Sequence, residues 1–142
     1  MASKPISAQA SAPAVAVSQP VSAPLTKHAI FLVVKINPGD GNRTRVLSLC
    51  ADLSALLRAV GFRLPEGALS CILGFGSDAW DRLFGSPRPA ELHPFHEIRS
   101  GPRHAVSTPG DLIFHIRAKR MDLCFELATN RGSPRRSRHH RR

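Results

Sequence analysis

The 142-residue sequence predicts a small α+β domain, and three observations support this class. Runs with the length and composition of strands occur at Ile30–Ile36, Leu69–Phe75 and Asp111–Ile116. Segments with helical periodicity follow the first and third runs, and a shorter one follows the second. Both ends of the chain have compositions that do not favour a packed core. The predicted order is therefore β-α-β-(short α)-β-α within residues 27–130.

The first helix is predicted over Asn42–Val60. We expect Asn42 to be its N-cap, Gly61 to be its C′ residue and Leu53 to lie in the core. Its apolar residues recur at i, i+3, i+4 and i+7, so they form one stripe that faces a sheet. They are Val46, Leu49, Cys50, Leu53, Leu56, Leu57 and Val60.

The short helix is predicted to begin at Ser77, which we expect to be its N-cap, and to end at Phe84. Asp78 lies where the helix dipole favours a negative charge. Asp78 and Asp81 have i, i+3 spacing, and a general acid/base pair is one alternative. A surface ion pair with Arg82 is the simpler interpretation.

Two segments are predicted to be loops. Gly74–Gly76 lacks the third glycine and the lysine of a phosphate-binding loop, so we interpret it as a tight strand-to-helix turn. Gly85–Gly110 is rich in proline, and we expect no regular structure there. It contains His93, His96 and His104. A three-histidine zinc site is one alternative, but Pro94 interrupts the spacing and an exposed loop is the interpretation we favour.

The third strand feeds a second helix, predicted over Lys119–Thr129. Phe114 lies at the centre of that strand and is expected in the core. His115 follows it, with two alternatives: a haem or acid–base histidine, or a partly buried histidine bonded to backbone. We favour the second.

Charge and composition separate the ends from the body. Residues 1–26 are rich in Ala, Ser and Pro and are predicted to be a disordered leader. Residues 131–142 contain six arginines and no acidic or hydrophobic side chain, and are predicted to be a disordered Arg-rich tail. The formal charge is +10, and without the tail arginines the body has only +4. The body is therefore not a strong electrostatic case for nucleic-acid binding.

The chain has three cysteines, Cys50, Cys71 and Cys124, and no CxxC motif. Free thiols in a reducing compartment are the favoured interpretation, ahead of a disulfide or a metal site. No apolar run approaches the ~20 residues that span a membrane, and the N-terminus lacks the pattern of a secretory signal. We therefore expect a cytoplasmic protein without a membrane segment.

Three stretches resemble one family. GFGSDAWDRLF at residues 74–84, PRPAELHPF at 87–95 and TPGDLIFHIRAKRMDLCFEL at 108–127 resemble the N-terminal half of the dye-decolorizing (DyP-type) haem peroxidases. The resemblance extends over residues 28–129. It implies a ferredoxin-like (β-α-β-β-α-β) half-domain that stops here before its fourth strand. It also implies haem, hydrogen peroxide and a small-molecule donor as the family's cofactor and substrates.

The resemblance assigns no site residue. The family uses a distal aspartate in a GFxDG motif, a distal arginine and a proximal histidine far downstream. No GFxDG occurs in the chain, and Gly74–Asp78 lacks the final glycine. We therefore expect no catalytic, cofactor-binding or metal-binding residue here, and no productive haem binding by this chain alone.

Two functions follow as hypotheses. The first is a truncated or mis-framed N-terminal fragment of a DyP-type peroxidase, inactive alone, with possible homo-oligomer formation through an unpaired sheet edge. The alternative is a small basic-tailed protein that contacts nucleic acid, weakly and non-specifically, or an anionic surface.

Overall fold

The computed structural model describes residues 18–85 and 87–130. Within them lie five strands and three α-helices, with a single 3-10 turn at Pro65–Gly67. The strands are β1 (His28–Val34), β2 (Ser70–Phe75), β3 (Ile98–Ser100), β4 (Arg103–Ala105) and β5 (Leu112–Ala118). The helices are α1 (Asp40–Gly61), α2 (Ser77–Phe84) and α3 (Met121–Thr129).

The main sheet has the strand order β1-β5-β2, and both pairings with β5 are antiparallel. β1 and β2 therefore run parallel to each other with β5 between them. A β-α-β unit split in this way is the building block of ferredoxin-like folds. The α+β class predicted from the sequence is confirmed, and the described strands match an incomplete ferredoxin-like half.

One face of this sheet is covered by helices. Side chains alternate along β5, so that Leu112, Phe114 and Ile116 are buried while Ile113 remains exposed. On this face, α3 contributes buried Leu123, Cys124 and Leu127. The apolar stripe of α1 packs against the same core cluster. Phe114 is 6% exposed, as expected for the core. Leu53 is only half-buried but packs against the same core cluster.

Three capping predictions were wrong. Gly39 is the N-cap of α1, with a φ of 123° that favours glycine. Asn42 lies inside the helix, and its side-chain amide instead donates to the carbonyl oxygens of Asn37 and Pro38 at 3.2 and 3.1 Å. Gly61 is the last helical residue, and the C-cap is Phe62. At α2 the N-cap is Gly76, and no side chain caps the helix.

Gly76 does confirm the tight strand-to-helix turn. Its amide donates to the carbonyl oxygen of Asp111 at 2.8 Å. A Cβ on Gly76 would meet the carbonyl oxygen of Gly110 at 2.6 Å, which is too close for any other residue type. The glycine therefore serves a close backbone approach between β2 and the start of β5.

The prediction that Gly85–Gly110 has no regular structure was wrong. β3 and β4 form a small antiparallel hairpin that turns at Gly101, where φ is 55°. All six strand residues are exposed, so no buried face imposes the apolar alternation by which strands are recognised.

The sequence grouped residues 18–26 with the leader. In the structure this segment lies on the main sheet, and Gln19, Pro20 and Ala23 form hydrogen bonds with sheet residues. The rest of the predicted leader, residues 1–17, and the predicted tail, 131–142, lie outside the described residues.

Candidate functional site: a cleft and an open sheet face

A polar cleft of about 860 Å³ lies at one end of the main sheet. The end of β1, the β2–α2 turn and the residues before β5 form one side, and the loop around His93 forms the other. Its lining mixes charged and aromatic side chains, among them Lys35, Phe75, Asp78, Arg82, His93, Phe95 and Asp111.

An ion pair fixes one wall of this cleft. The Arg82 guanidinium donates to the Asp111 carboxylate and, at 3.4 Å, to the carbonyl oxygen of Ile36. The same carboxylate accepts the backbone amide of Ile36 at 2.6 Å. Burial opposes the charge of Asp111, but these two donors outweigh it and hold the pKa of that carboxyl below its usual value. The charged Asp111 side chain therefore connects the start of β5 with α2 and with the residue region after β1.

The sequence predicted that the α2 aspartates, Asp78 and Asp81, form a surface ion pair with Arg82, and this prediction was wrong. Arg82 pairs with Asp111, not with either aspartate of its own helix. Asp81 instead forms an ion pair with Arg88 at 3.3 Å. The sequence could not reveal this exchange, because Asp111 is 29 residues away from Arg82 and meets it only in the folded sheet.

The three histidines of the 85–110 segment do not form the zinc site that was one alternative for them. His93 and His96 stack with ring centroids 5.9 Å apart, and both are exposed. His104 lies 3.1 Å from a carboxylate oxygen of Glu97 in the hairpin. Within residues 18–85 and 87–130, no three or more His, Cys, Asp or Glu side chains are grouped to hold a metal ion.

His115 is half-buried, but its partner is aromatic. Its ring stacks on Phe31 of β1, with centroids 4.2 Å apart and planes at 13°. The two residues face each other in the β1–β5 register. The backbone hydrogen bond that we expected of His115 is replaced by this stack.

Two cavities among the described residues can be compared with the requirements of a haem pocket. The enclosed apolar cavity in the core measures about 20 Å³ and is lined by no histidine. The cleft is large enough for a cofactor, but Arg82 and Asp111 in its wall are paired with each other. His93 lies there in an exposed proline-containing loop, with Nδ1 3.0 Å from the Pro94 carbonyl oxygen. Neither space offers an axial histidine facing an apolar cavity with a distal acid.

The three cysteines are free thiols placed in or beside the core. Burial raises the pKa of Cys71 to about 11 and also raises the pKa of Cys50 and Cys124. A nucleophilic cysteine needs the opposite shift. These residues therefore have a packing role.

The second face of the main sheet is open and largely apolar. Phe31 is 66% exposed, Val33 53% and Ile113 39%. In register they form rows with their neighbours on the adjacent strands: Phe31–His115–Ile72 and Val33–Ile113–Gly74. We call the residues of these two rows the open face. β1 at its margin pairs only with β5, so its outer edge is free among the described strands.

Within the described part of the chain, no helix has the length and apolar character needed to cross a bilayer.

Comparison with known proteins identifies relatives. A family model described as Dyp-type peroxidase, N-terminal, matches residues 18–136. A dye-decolorizing peroxidase of Rhodococcus erythropolis is 57% identical over 114 residues, which cover 80% of this chain and 33% of that protein. The chain therefore spans about a third of the length of this relative.

Solved structures share the fold. The encapsulated DyP-type peroxidase from Mycobacterium smegmatis superposes with a TM-score of 0.74 at 58% identity, over 80% of this chain and 36% of that one. A DypB variant from Rhodococcus jostii RHA1 in complex with heme gives a TM-score of 0.75 at 44% identity, over 79% and 36%.

Proposed function

Because the chain belongs to the DyP-type peroxidase family, we propose that it is the N-terminal domain of a haem-dependent peroxidase that uses peroxide to oxidise small-molecule donors. The chain corresponds to about a third of such an enzyme. Its contribution is a folded sheet against which the rest of the enzyme assembles.

The open face is the observation that carries this proposal. An apolar face with a phenylalanine two-thirds exposed is uncommon on a soluble domain unless another surface covers it. We propose that the remaining two-thirds of the peroxidase polypeptide is that surface. It also supplies a fourth strand to the free edge of β1, on the side of the sheet away from β2.

The catalytic residues and the haem ligand, in this proposal, belong to the remainder of the enzyme. His93, His96 and His115 stack on other rings, His104 is paired with Glu97, and His28 lies in β1. None of these five histidines lines the apolar cavity in the core. A peroxidase needs an axial ligand and a distal acid/base within hydrogen-bond reach of the peroxide. The chain alone therefore acts as an inactive fragment.

A complementation assay tests the proposal. The chain is titrated with haemin and assayed for peroxide-dependent dye oxidation, alone and mixed with the part of the Rhodococcus erythropolis peroxidase that lies beyond the matched segment. We expect turnover at the level of free haemin for the chain alone, and a gain of at least tenfold for the mixture over either part.

A matched pair of variants links that gain to the open face. Phe31→Lys places a charge on the face, whereas Phe62→Lys changes a still more exposed phenylalanine at the end of α1. We expect only Phe31→Lys to abolish complementation. One-to-one haem binding with turnover by the chain alone, or equal losses in both variants, would disprove the proposal.

We also propose a cytoplasmic location and a capacity to form homo-oligomers. Three free thiols support the first. The free β1 edge and the open face support the second. The Mycobacterium smegmatis relative is an encapsulated DyP-type peroxidase.

A further inference from the structure

The segment just before β1 contacts the sheet at its other margin. The side-chain amide of Gln19 donates from Nε2 to the carbonyl oxygen of Leu73 at 2.9 Å, and its Oε1 accepts the backbone amide of Leu73 at 2.7 Å. Leu73 belongs to β2, whose only partner in the main sheet is β5. The Gln19 amide therefore makes the two hydrogen bonds that the N–H and C=O of an opposing strand residue would make.

This contact affects an edge that would otherwise be exposed. An edge strand presents unpaired N–H and C=O groups that can template pairing with another chain. A primary amide carries an N–H donor and a carbonyl acceptor side by side, so Gln19 satisfies both groups of Leu73 at once. The middle of the β2 edge is closed by a side chain from the same molecule.

Arg117 of β5 holds the same segment a second time. Its side chain is 4% exposed, and Nη1 and Nη2 donate to the carbonyl oxygens of Ala23 and Pro20, both at 3.3 Å. Its Nε has no hydrogen-bond partner among the described residues. A buried guanidinium that has only two neutral acceptors is costly unless those acceptors stay in place.

We propose that residues 19–23 are an edge guard, a strap latched by Gln19 and Arg117 that closes the β2 edge against pairing with other chains. With β2 closed, the sheet can be extended only at β1. The guard is a property of this chain itself and does not depend on the proposed peroxidase function.

Hydrogen exchange of the Leu73 amide, followed by NMR on the full chain, tests the latch directly. In the unmodified chain this amide is expected to be protected, although it points to the outer edge of β2, where no described strand pairs. Gln19→Ala should accelerate its exchange at least tenfold and leave the amide of Phe114, in the central strand, unchanged. Gln9→Ala makes the same substitution ten residues earlier and should alter neither amide.

Light scattering at matched concentration tests the guarding role. Gln19→Ala should shift the chain to larger species, and Gln9→Ala should not. An isosteric variant, Gln19→Glu, keeps an acceptor for the Leu73 amide but loses the donor to its carbonyl, and should fall between the two. Unchanged exchange at Leu73 in Gln19→Ala would overturn the latch.

If Gln19→Ala speeds exchange at Leu73 without increasing association, the guarding role is overturned. The latch itself, the pair of hydrogen bonds between Gln19 and Leu73 in the unmodified chain, would then still be supported. None of these readouts involves haem or peroxide. A failure here is therefore distinguishable from a failure of the complementation assay.

Discussion

Arg82 of α2 donates to the carboxylate of Asp111, which lies directly before β5, and that carboxylate also binds the backbone amide of Ile36 beyond the end of β1. Three elements that are distant in sequence are therefore joined at one half-buried charge. The ion pair forms one wall of the cleft, so its strength controls how firmly the ends of the sheet are held.

Asp111→Asn should destabilise the fold by about 1–2 kcal/mol at pH 7, because the amide keeps an acceptor for Ile36 but loses the charge that faces Arg82. The lowered pKa of Asp111 means that its ionised form is stabilised in the folded state. That stability is present above the ordinary carboxyl pKa and is lost as the pH falls through the folded pKa. Urea unfolding between pH 7 and pH 2 should show a smaller acid-induced loss in the variant than in the unmodified chain.

Asp122→Asn is the matched control for this experiment. The hydrogen bond from Arg120 at 2.5 Å lowers the pKa of Asp122, but both side chains are more than half exposed. Solvent screening makes such a pair weak. An equal or greater change of the acid limb in this variant would contradict the role assigned to Asp111.

Phe114→Ala should reduce the free energy of unfolding by roughly 3–5 kcal/mol, because the ring is buried at the centre of β5 and its loss leaves a cavity. Leu53→Ala should cost less, near the lower limit of about 2 kcal/mol, since Leu53 is half-buried beside an existing small cavity. Phe125 lies on α3 and is 63% exposed, so Phe125→Ala should change stability by less than about 0.5 kcal/mol. Equal costs for Phe114 and Phe125 in urea unfolding would show that the helix-covered face is not the core.

The purified chain should associate, because it carries both the open face and the free β1 edge. Size-exclusion chromatography is expected to show oligomers or aggregates. The double variant Phe31→Ser with Val33→Thr should shift the elution towards the monomer, while Phe62→Ser, which removes an exposed phenylalanine elsewhere, should not. A sharp monomer peak with cooperative melting in the unmodified chain would argue against an unsatisfied sheet.

Residues 131–142 should bind nucleic acid without sequence selectivity, because their six arginines contact phosphates and no acidic residue opposes them. Affinity for a random duplex should fall steeply with salt, each neutralised phosphate adding about −0.9 to the slope of log K against log salt. A chain that ends at Asn130 should lose this binding. Sequence-selective binding that survives high salt would rule out this electrostatic account of the tail.

Much of the architecture could be predicted from local patterns. The apolar runs of β1, β2 and β5 and the stripe of α1 have the periods of strands and helices, and each element was found within a few residues of its predicted bounds. The hairpin of β3 and β4 was not predicted, because its exposed residues have no apolar alternation. The caps were missed because Gly39 and Gly76 act through backbone geometry, which leaves no side-chain signature.

The sequence by itself determined the order of the three main-sheet strands and the three helices, the core position of Phe114 and the family resemblance, because periodicity and motif identity are local properties. Only the tertiary structure decided which residues meet. Spacing alone predicted that Arg82 pairs with an aspartate of its own helix. In the structure Arg82 pairs with Asp111, which lies directly before β5. Gln19 belonged to a leader without an apolar anchor, yet it binds Leu73 of β2, 54 residues away. Such contacts depend on the order in which the strands pair, and no local pattern in the chain encodes that order.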